Sequence, residues 1–270
     1  MAKLKTDCFN LEYTLECGQI FRVNKQDGWY YVNAMDKLIK IRQNGDTIEY
    51  FGANKPFITN FFSLDVPLKK IIKEINRDDY MKLATKEYEG LRLIRQHPWE
   101  CLVSFIFSAA SNIPRIKSCV DGVSKYFGEK ITVGDFESYT FPGCGEINDT
   151  KKLEKARPGF RGKYVYEASA SINETHLESL RSMPYEEAKN VLKEIKGVAD
   201  KVADCVLLFS LDFMEAFPVD TWINRIMQEL YFDNNPVPKK EIRIFADEYF
   251  GRYAGYAQQY LFMYARNRTK

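Results

Sequence analysis

Residues 192–227, LKEIKGVADKVADCVLLFSLDFMEAFPVDTWINRIM, decide how the chain folds. Residues 192–195 read as the end of one helix, Lys196-Gly197-Val198-Ala199 as a tight turn, and 201–211 as a second helix. A glycine between two helical segments permits a sharp reversal. The second helix then starts with backbone N–H groups that lack an intrahelical acceptor. Those donors and the positive end of the helix dipole form an anion site, and a DNA phosphate fits it. The pattern also suits an ordinary helical hairpin that packs two helices and nothing more.

Three side chains in this stretch can carry chemistry. Lys201 falls in the first turn of the second helix, where a cation opposes the dipole. The dipole and partial burial both favour a neutral amine, which is a nucleophile able to form a Schiff base. The alternative is a solvated surface lysine. Cys205, four residues on, shares a helix face with Lys201, and alone it reads as a small buried hydrophobe. Asp220 follows Pro218-Val219 and occupies an N-cap position, where bonds from backbone N–H groups would keep a carboxylate ionised. It is either a structural cap or a charge held rigidly near a nucleophile.

Outward from this core, the first 55 residues or so read as β. Residues 21–23 and 29–32 flank Gln26-Asp27-Gly28, and 38–42 and 47–51 flank Asn44-Gly45. Such turn signals between runs rich in Ile, Val, Tyr and Trp predict two successive antiparallel hairpins. Beyond Pro56 the pattern turns helical. Pro98 opens WECLVSFIFSAA, apolar nearly all round and so a buried central helix. Pro114 starts another helix, ended by Gly128, and 132–145 reads as a loop. Helices are expected at 164–173, 184–193, 201–211, 220–230, 239–250 and 254–268, with the helix–hairpin–helix at about 184–211. The class is α+β: an antiparallel twisted sheet domain with flanking helices (1–90), then a helical domain (91–270).

Composition narrows the function. Of 270 residues, 45% are hydrophobic and 28% charged, which excludes a largely disordered chain. No apolar run approaches the roughly 20 residues of a membrane span. The N-terminus has no continuous apolar core, so no secretory signal is expected. Six cysteines (8, 17, 101, 119, 144 and 205) form no C-x-x-C and fit reduced thiols inside a cell. Only His97 and His176 are present, leaving little room for a histidine-based triad or metal site. A net charge of +2 neither announces nor excludes a nucleic-acid partner.

GVADKVADC (197–205) and FPVD (217–220) together resemble the helix–hairpin–helix, Gly/Pro-rich loop and Asp motif of the DNA glycosylase superfamily, including the nineteen residues from Lys201 to Asp220. The lysine marks a bifunctional member. No cysteine cluster follows Cys205, which argues against the iron–sulfur branch. More narrowly, the chain resembles the 8-oxoguanine DNA glycosylases of the type first known from eukaryotes. That resemblance runs nearly end to end, through ECGQIFR (16–22), LIRQ (93–96), SFI (104–106), NIPRI (112–116), GFRGKY (159–164) and AGYAQ (254–258).

The resemblance implies a glycosylase/AP lyase acting on duplex DNA that contains oxidised guanine, formamidopyrimidine lesions included. Lys201 would attack the deoxyribose C1′, expel the base and leave an imine whose β-elimination cuts the strand. Asp220 would stabilise positive charge on the sugar. The target base must leave the stack to be reached. Gly18 would offer a backbone carbonyl to the N7 hydrogen that distinguishes 8-oxoguanine, and Gln258 would bond the Watson–Crick edge. Phe262 and Cys205 would sandwich the base. Phe160 would act as a wedge, with Asn112, Arg115 and Arg161 near the opposite base and Gly197, Ala199 and Trp222 on the DNA. No redox cofactor or catalytic metal is implied, although a monovalent cation on the hairpin carbonyls is compatible. A monomer without membrane association is expected, and with no targeting segment evident in the sequence its expected site is the cytoplasm of a prokaryote, at the nucleoid.

Three positions depart from the family pattern. Ala110 stands where the family has an asparagine that contacts the opposite cytosine, so a relaxed opposite-base preference is expected. Ala199 replaces the second hairpin glycine, and Trp222 replaces a histidine. Two other functions fit parts of the pattern. A glycosylase for alkylated bases uses Asp with water and lacks the lysine. A non-enzymatic helix–hairpin–helix module needs the hairpin but not Lys201, Cys205, Asp220, Gly18 and Gln258 together.

Overall fold

Alternating apolar residues and tight turns build the first fifty residues into a five-stranded antiparallel sheet, as seen in a computed structural model that describes residues 1–268. Its strands are β1 (Ala2–Lys5), β2 (Val23–Gln26), β3 (Trp29–Ala34), β4 (Lys37–Asn44) and β5 (Thr47–Phe51), in the order β1-β5-β4-β3-β2. Both expected hairpins form, with Gln26 opposite Trp29 and Asn44 opposite Thr47. Strand β1 has little pattern of its own and gains its place by pairing with β5. Helix α1 (Leu11–Glu16), capped by the Asn10 side chain, follows β1. It packs with α2 (Lys55–Phe61) on Val32, Ile39, Ile41 and Ile48 of the sheet.

The helical body contains α3 (Leu68–Ile75), α4 (Asp79–Glu87), α5 (Pro98–Phe107), α6 (Ile113–Phe127), α7 (Thr150–Glu154), α8 (Arg161–Ser171), α9 (Glu174–Ser179), α10 (Tyr185–Lys193), α11 (Asp200–Ser210), α12 (Thr221–Tyr231), α13 (Lys239–Phe250) and α14 (Ala254–Arg268). Helix α5 is the centre: all ten of its residues are buried, as its all-round apolar sequence requires. Its one acid, Glu100, ties body to sheet. Glu100 pairs with the buried Arg22 at 2.9 Å and accepts from Met35 N at 2.6 Å, while Arg22 also donates to the Tyr139 carbonyl. A buried charge survives when it is paired and hydrogen-bonded in this way.

One expectation is corrected by packing. Residues 132–145 are not all loop: β6 (Lys130–Val133) and β7 (Phe136–Tyr139) form a separate two-stranded hairpin. It holds because Val133 and Phe136 pack on Tyr31 and Leu38 of the main sheet, with the Tyr31 and Phe136 rings stacked at 4.0 Å. Contacts also cross residue 90. Ile71, Ile75, Met81 and Ala84 of α3 and α4 belong to the helical core, and β6–β7 returns to the sheet. Among the described residues, no helix is long and apolar enough to cross a membrane.

Candidate active site

The hairpin between α10 and α11 turns on Gly197, at φ +88°. A Cβ there would lie 2.7 Å from the Tyr164 ring, so both the conformation and the close approach demand glycine. Ala199 is the N-cap of α11 in extended backbone (φ −105°) that alanine adopts freely, so losing the second glycine does not distort the turn. Asp200 opens α11 and pairs across the hairpin with Lys193 at 2.8 Å. That pairing holds its carboxyl below the usual range, and the acid complements the helix dipole.

One turn of α11 then presents Lys201 and Cys205 to a cavity of about 420 Å³. Gly18, Asp220, Trp222, Gln258 and Phe262 line the same cavity, so residues from four separate segments converge. Lys201 Nζ donates to Ser108 Oγ at 2.8 Å and sits 4.9 Å from the centre of the Phe105 ring. Cys205 is buried against this amine, and burial pushes its thiol up to about 12, so it serves as a neutral wall. Asp220 caps α12, accepting from Ile223 N at 2.8 Å. The cap bonds alone predict a lowered pKa. Burial outweighs them and the nearby Lys201 charge, and raises the carboxyl above its ordinary value.

The far wall is built with equal specificity. Gly18 sits at φ +82°, with Phe262 Cε1 3.3 Å from where a Cβ would lie. The carbonyls on either side are taken: Gln259 Nε2 donates to Cys17 O (2.7 Å) and Gln96 Nε2 to Gln19 O (2.7 Å). No described hydrogen bond ends on the Gly18 carbonyl itself. Gln258 and Phe262 are one turn apart on α14. Gln258 is 4% exposed, its Nε2 makes only a long bond to Pro218 O (3.3 Å), and its Oε1 has no partner. A buried unpaired acceptor at a cavity wall is a vacancy for a donor.

The expected opposite-base residues separate. Phe160 projects at 61% exposure, free to act on DNA. Arg115 is exposed. Asn112 spends its side-chain oxygen capping α6, accepting from Arg115 N at 3.0 Å. Arg161 lies below this surface. It is 4% exposed and donates to the carbonyls of Ala109 and Ala110.

Ser108, Phe105 and Gln259 escaped the sequence reading, as did a charged cluster behind α11. There the wholly buried Asp204 accepts from Tyr185 Oη (2.7 Å) and pairs with Lys189 (2.8 Å) and Arg243 (3.2 Å), tying α11 to α10 and α13. An acid inside the apolar face VADCVLLF was its only signal. Among the described residues, no group of three His, Cys, Asp or Glu is placed to hold a metal ion.

Residues 1–102 match the family model of the 8-oxoguanine DNA glycosylase N-terminal domain. An N-glycosylase/DNA lyase of Arabidopsis thaliana is 31% identical over 97% of this chain and 78% of its own length. The chain belongs to the 8-oxoguanine DNA glycosylase family. A solved structure of MBOgg1 with a low-affinity DNA ligand is 36% identical, with a TM-score of 0.93 over 99% of this chain and 96% of that one. The 8-oxoguanine glycosylase/lyase of Clostridium acetobutylicum, solved with double-stranded DNA containing cytosine opposite 8-oxoG, is 34% identical, with a TM-score of 0.92 over 100% of this chain and 99% of that one.

Against the family pattern, the departure at Ala110 has a structural consequence. Ala110 holds φ +46°, a left-handed conformation that asparagine tolerates better than alanine. Trp222, 37% exposed at the cavity mouth, offers an aromatic face where a histidine would offer a hydrogen bond.

Proposed function

We propose that this chain excises 8-oxoguanine from duplex DNA as a bifunctional glycosylase/AP lyase, with Lys201 as nucleophile. The observation that carries the reading is the convergence of Lys201 and Asp220 on one cavity with Gly18, Cys205, Gln258 and Phe262. A cavity of about 420 Å³ lies in the range that holds a small organic ligand such as an everted base.

The deprotonated Lys201 amine attacks C1′. The N-glycosidic bond breaks, and its electron pair leaves with the base, which takes up a proton. The nitrogen gives up one proton toward the departing base and the other to O4′ as the C1′–O4′ bond breaks, which opens the sugar ring and leaves an imine at C1′. Removal of a C2′ proton then lets the C3′–O bond break, releasing the 3′ phosphate. Asp220, ionised, stabilises the positive charge that builds on the sugar during departure. Each of these steps uses groups of this chain and the DNA. A monovalent cation on the hairpin would have to share the Ile195 carbonyl, which already accepts from Val198 N at 3.0 Å.

Selectivity rests on unpaired acceptors. The open Gly18 carbonyl suits the N7 hydrogen of 8-oxoguanine, whereas guanine presents a lone pair there. A buried mismatch costs about 1–3 kcal/mol, roughly five- to 150-fold. The Gln258 Oε1 suits the donors of a guanine Watson–Crick edge. Phe160 stands ready to fill the gap left in the stack, as apolar wedges do. Ala110 has no group to read the opposite base, so the preference for cytosine is relaxed. All of these residues lie in one chain, which suits a monomer.

The test is base release from duplexes bearing 8-oxoguanine, guanine or 3-methyladenine. Release confined to 8-oxoguanine, with strand cleavage before any alkali treatment, is expected. Release of 3-methyladenine instead, or DNA binding with no release, would overturn the reading.

A further inference from the structure

We infer that Arg243 is a positioning residue that sets the nucleophile against the base-holding wall of the cavity, an inference that rests on Lys201 being that nucleophile. The Lys201 amine has neighbours on two helices. Ser108 Oγ and the Phe105 ring belong to α5, and Cys205 beside it belongs to α11 itself. Gln258 and Phe262, which face the same cavity, stand on a third helix, α14. The reach of the amine toward a base held by α14 therefore depends on where α11 stands. Apolar packing of α11 on α5 sets their separation but is non-directional, so rotation and register of α11 fall to directional bonds.

Those bonds converge on one turn. Asp200 and Asp204 lie one turn apart on α11, and each directly precedes a residue of the cavity, Lys201 and Cys205. From α10, Lys193 pairs with Asp200 and Lys189 with Asp204, each at 2.8 Å, and Tyr185 Oη donates to Asp204 at 2.7 Å. These rungs hold the hairpin together as a unit. Arg243, from α13, ties that unit to the rest of the body. Its guanidinium reaches both acids, with Nε 3.2 Å from Asp204 and Nη2 3.4 Å from Asp200. Among the described residues it is the one cation paired with both. Each acid already has a lysine, so a third cation is not needed to neutralise them; what Arg243 adds is a rigid fork across the turn. Helix α13 is joined to α14 by residues 251–253 alone and packs on it. Arg243 thus links the turn that carries Lys201 to the helix pair that carries Gln258 and Phe262.

The link matters most for a substrate that still has its base. An everted 8-oxoguanine is held by α14 while the amine is held by α11, so attack at C1′ needs the two in register. A preformed abasic site gives α14 no base to hold, and its open-chain aldehyde can move to the amine.

The experiment measures single-turnover borohydride trapping at saturating enzyme on two duplexes, one with 8-oxoguanine and one with a preformed abasic site, together with Kd and Tm. Variants are Arg243→Met, Arg243→Lys, Lys193→Met and Lys201→Gln. For Arg243→Met, trapping on 8-oxoguanine is expected to fall by roughly tenfold to a hundredfold, because small shifts in attack geometry weigh heavily, while abasic trapping and Kd stay within about threefold. Arg243→Lys keeps the charge and can reach one acid, so it should restore part of the 8-oxoguanine rate. It carries the test should Arg243→Met unfold, with the same selective loss in smaller measure. Lys193→Met breaks a half-exposed pair and leaves Asp200 on Arg243, so both rates should stay within about threefold.

Equal losses on the two duplexes in the Arg243 variants would overturn the inference, since a general loss of structure does not distinguish them. Wild-type excision by Arg243→Met would also overturn it. Failure of the wild-type protein to trap on either duplex, or trapping by Lys201→Gln at the wild-type rate, would refute Lys201 as nucleophile and the inference with it.

Discussion

Substituting Gly18 by alanine separates the stability of the pocket from its selectivity. Gly18 holds φ +82°, and a left-handed backbone costs an L-residue about 1–2 kcal/mol. Alanine also restricts the unfolded chain, which returns about 0.4–1 kcal/mol. The new methyl would lie 3.3 Å from Phe262 Cε1 and 3.5 Å from Ile113 Cδ1, so the Phe262 ring must give by a few tenths of an ångström. The net loss is about 1 kcal/mol, which in a chain of this size lowers Tm by roughly 2–4 °C. The effect on chemistry is larger. The methyl enters the cavity from the wall that presents the open carbonyl, and it tilts the ring that stacks the base. Excision of 8-oxoguanine should fall by about tenfold or more, the worth of one lost hydrogen bond to a buried group. Thermal melting and single-turnover excision on the same preparation measure both. Wild-type excision by Gly18→Ala at a Tm lowered as expected would refute the role given to this backbone position.

Other outcomes follow from individual atoms. Asp220→Asn keeps an N-cap residue and therefore the fold, but removes the carboxylate, so base excision should drop sharply with little change in Tm. Because burial raises the Asp220 pKa and catalysis needs the anion, the acid limb of the rate should lie above pH 3.8 and vanish in Asp220→Asn. The linked stability has the matching sign: the fold holds that proton more tightly than the unfolded chain, so ionising Asp220 lowers stability as pH rises through its folded pKa. A limb that persists in Asp220→Asn would assign it to another group. Gln258→Leu removes a buried acceptor with no partner but strands the Pro218 carbonyl; the two effects nearly cancel, so melting should shift by less than about 1 kcal/mol while 8-oxoguanine excision falls. Ala110→Asn eases a left-handed strain and restores an amide, so it should raise Tm slightly and shift excision toward lesions opposite cytosine; equal rates opposite all four bases would contradict this.

What could be read from sequence was local. The hairpin at Gly197, the cap at Asp220, the face shared by Lys201 and Cys205, and the register of Gln258 and Phe262 each depend on residues a turn apart, and all stand where expected. What escaped depended on distant partners. The β6–β7 hairpin is four residues a side and gains stability from Tyr31 and Leu38, about a hundred residues earlier. Ser108 reads as the polar end of an apolar helix until Lys201, 93 residues on, donates to it. Arg161 donates to the Ala109 and Ala110 carbonyls some fifty residues earlier, a link that nothing local reveals. The sign of the Asp220 shift was missed for the same reason, since burial is a property of the assembled body and capping is a property of one turn.

The central claim, that Lys201 becomes covalently joined to the sugar, is tested most directly by locating the bond. Borohydride reduction during turnover on an 8-oxoguanine duplex, followed by proteolysis and mass mapping, should place one DNA adduct on the peptide that carries Lys201. Lys201→Gln should bind the same duplex and give no adduct. An adduct on another amine, or base release by the wild-type protein with no adduct at all, would contradict the account.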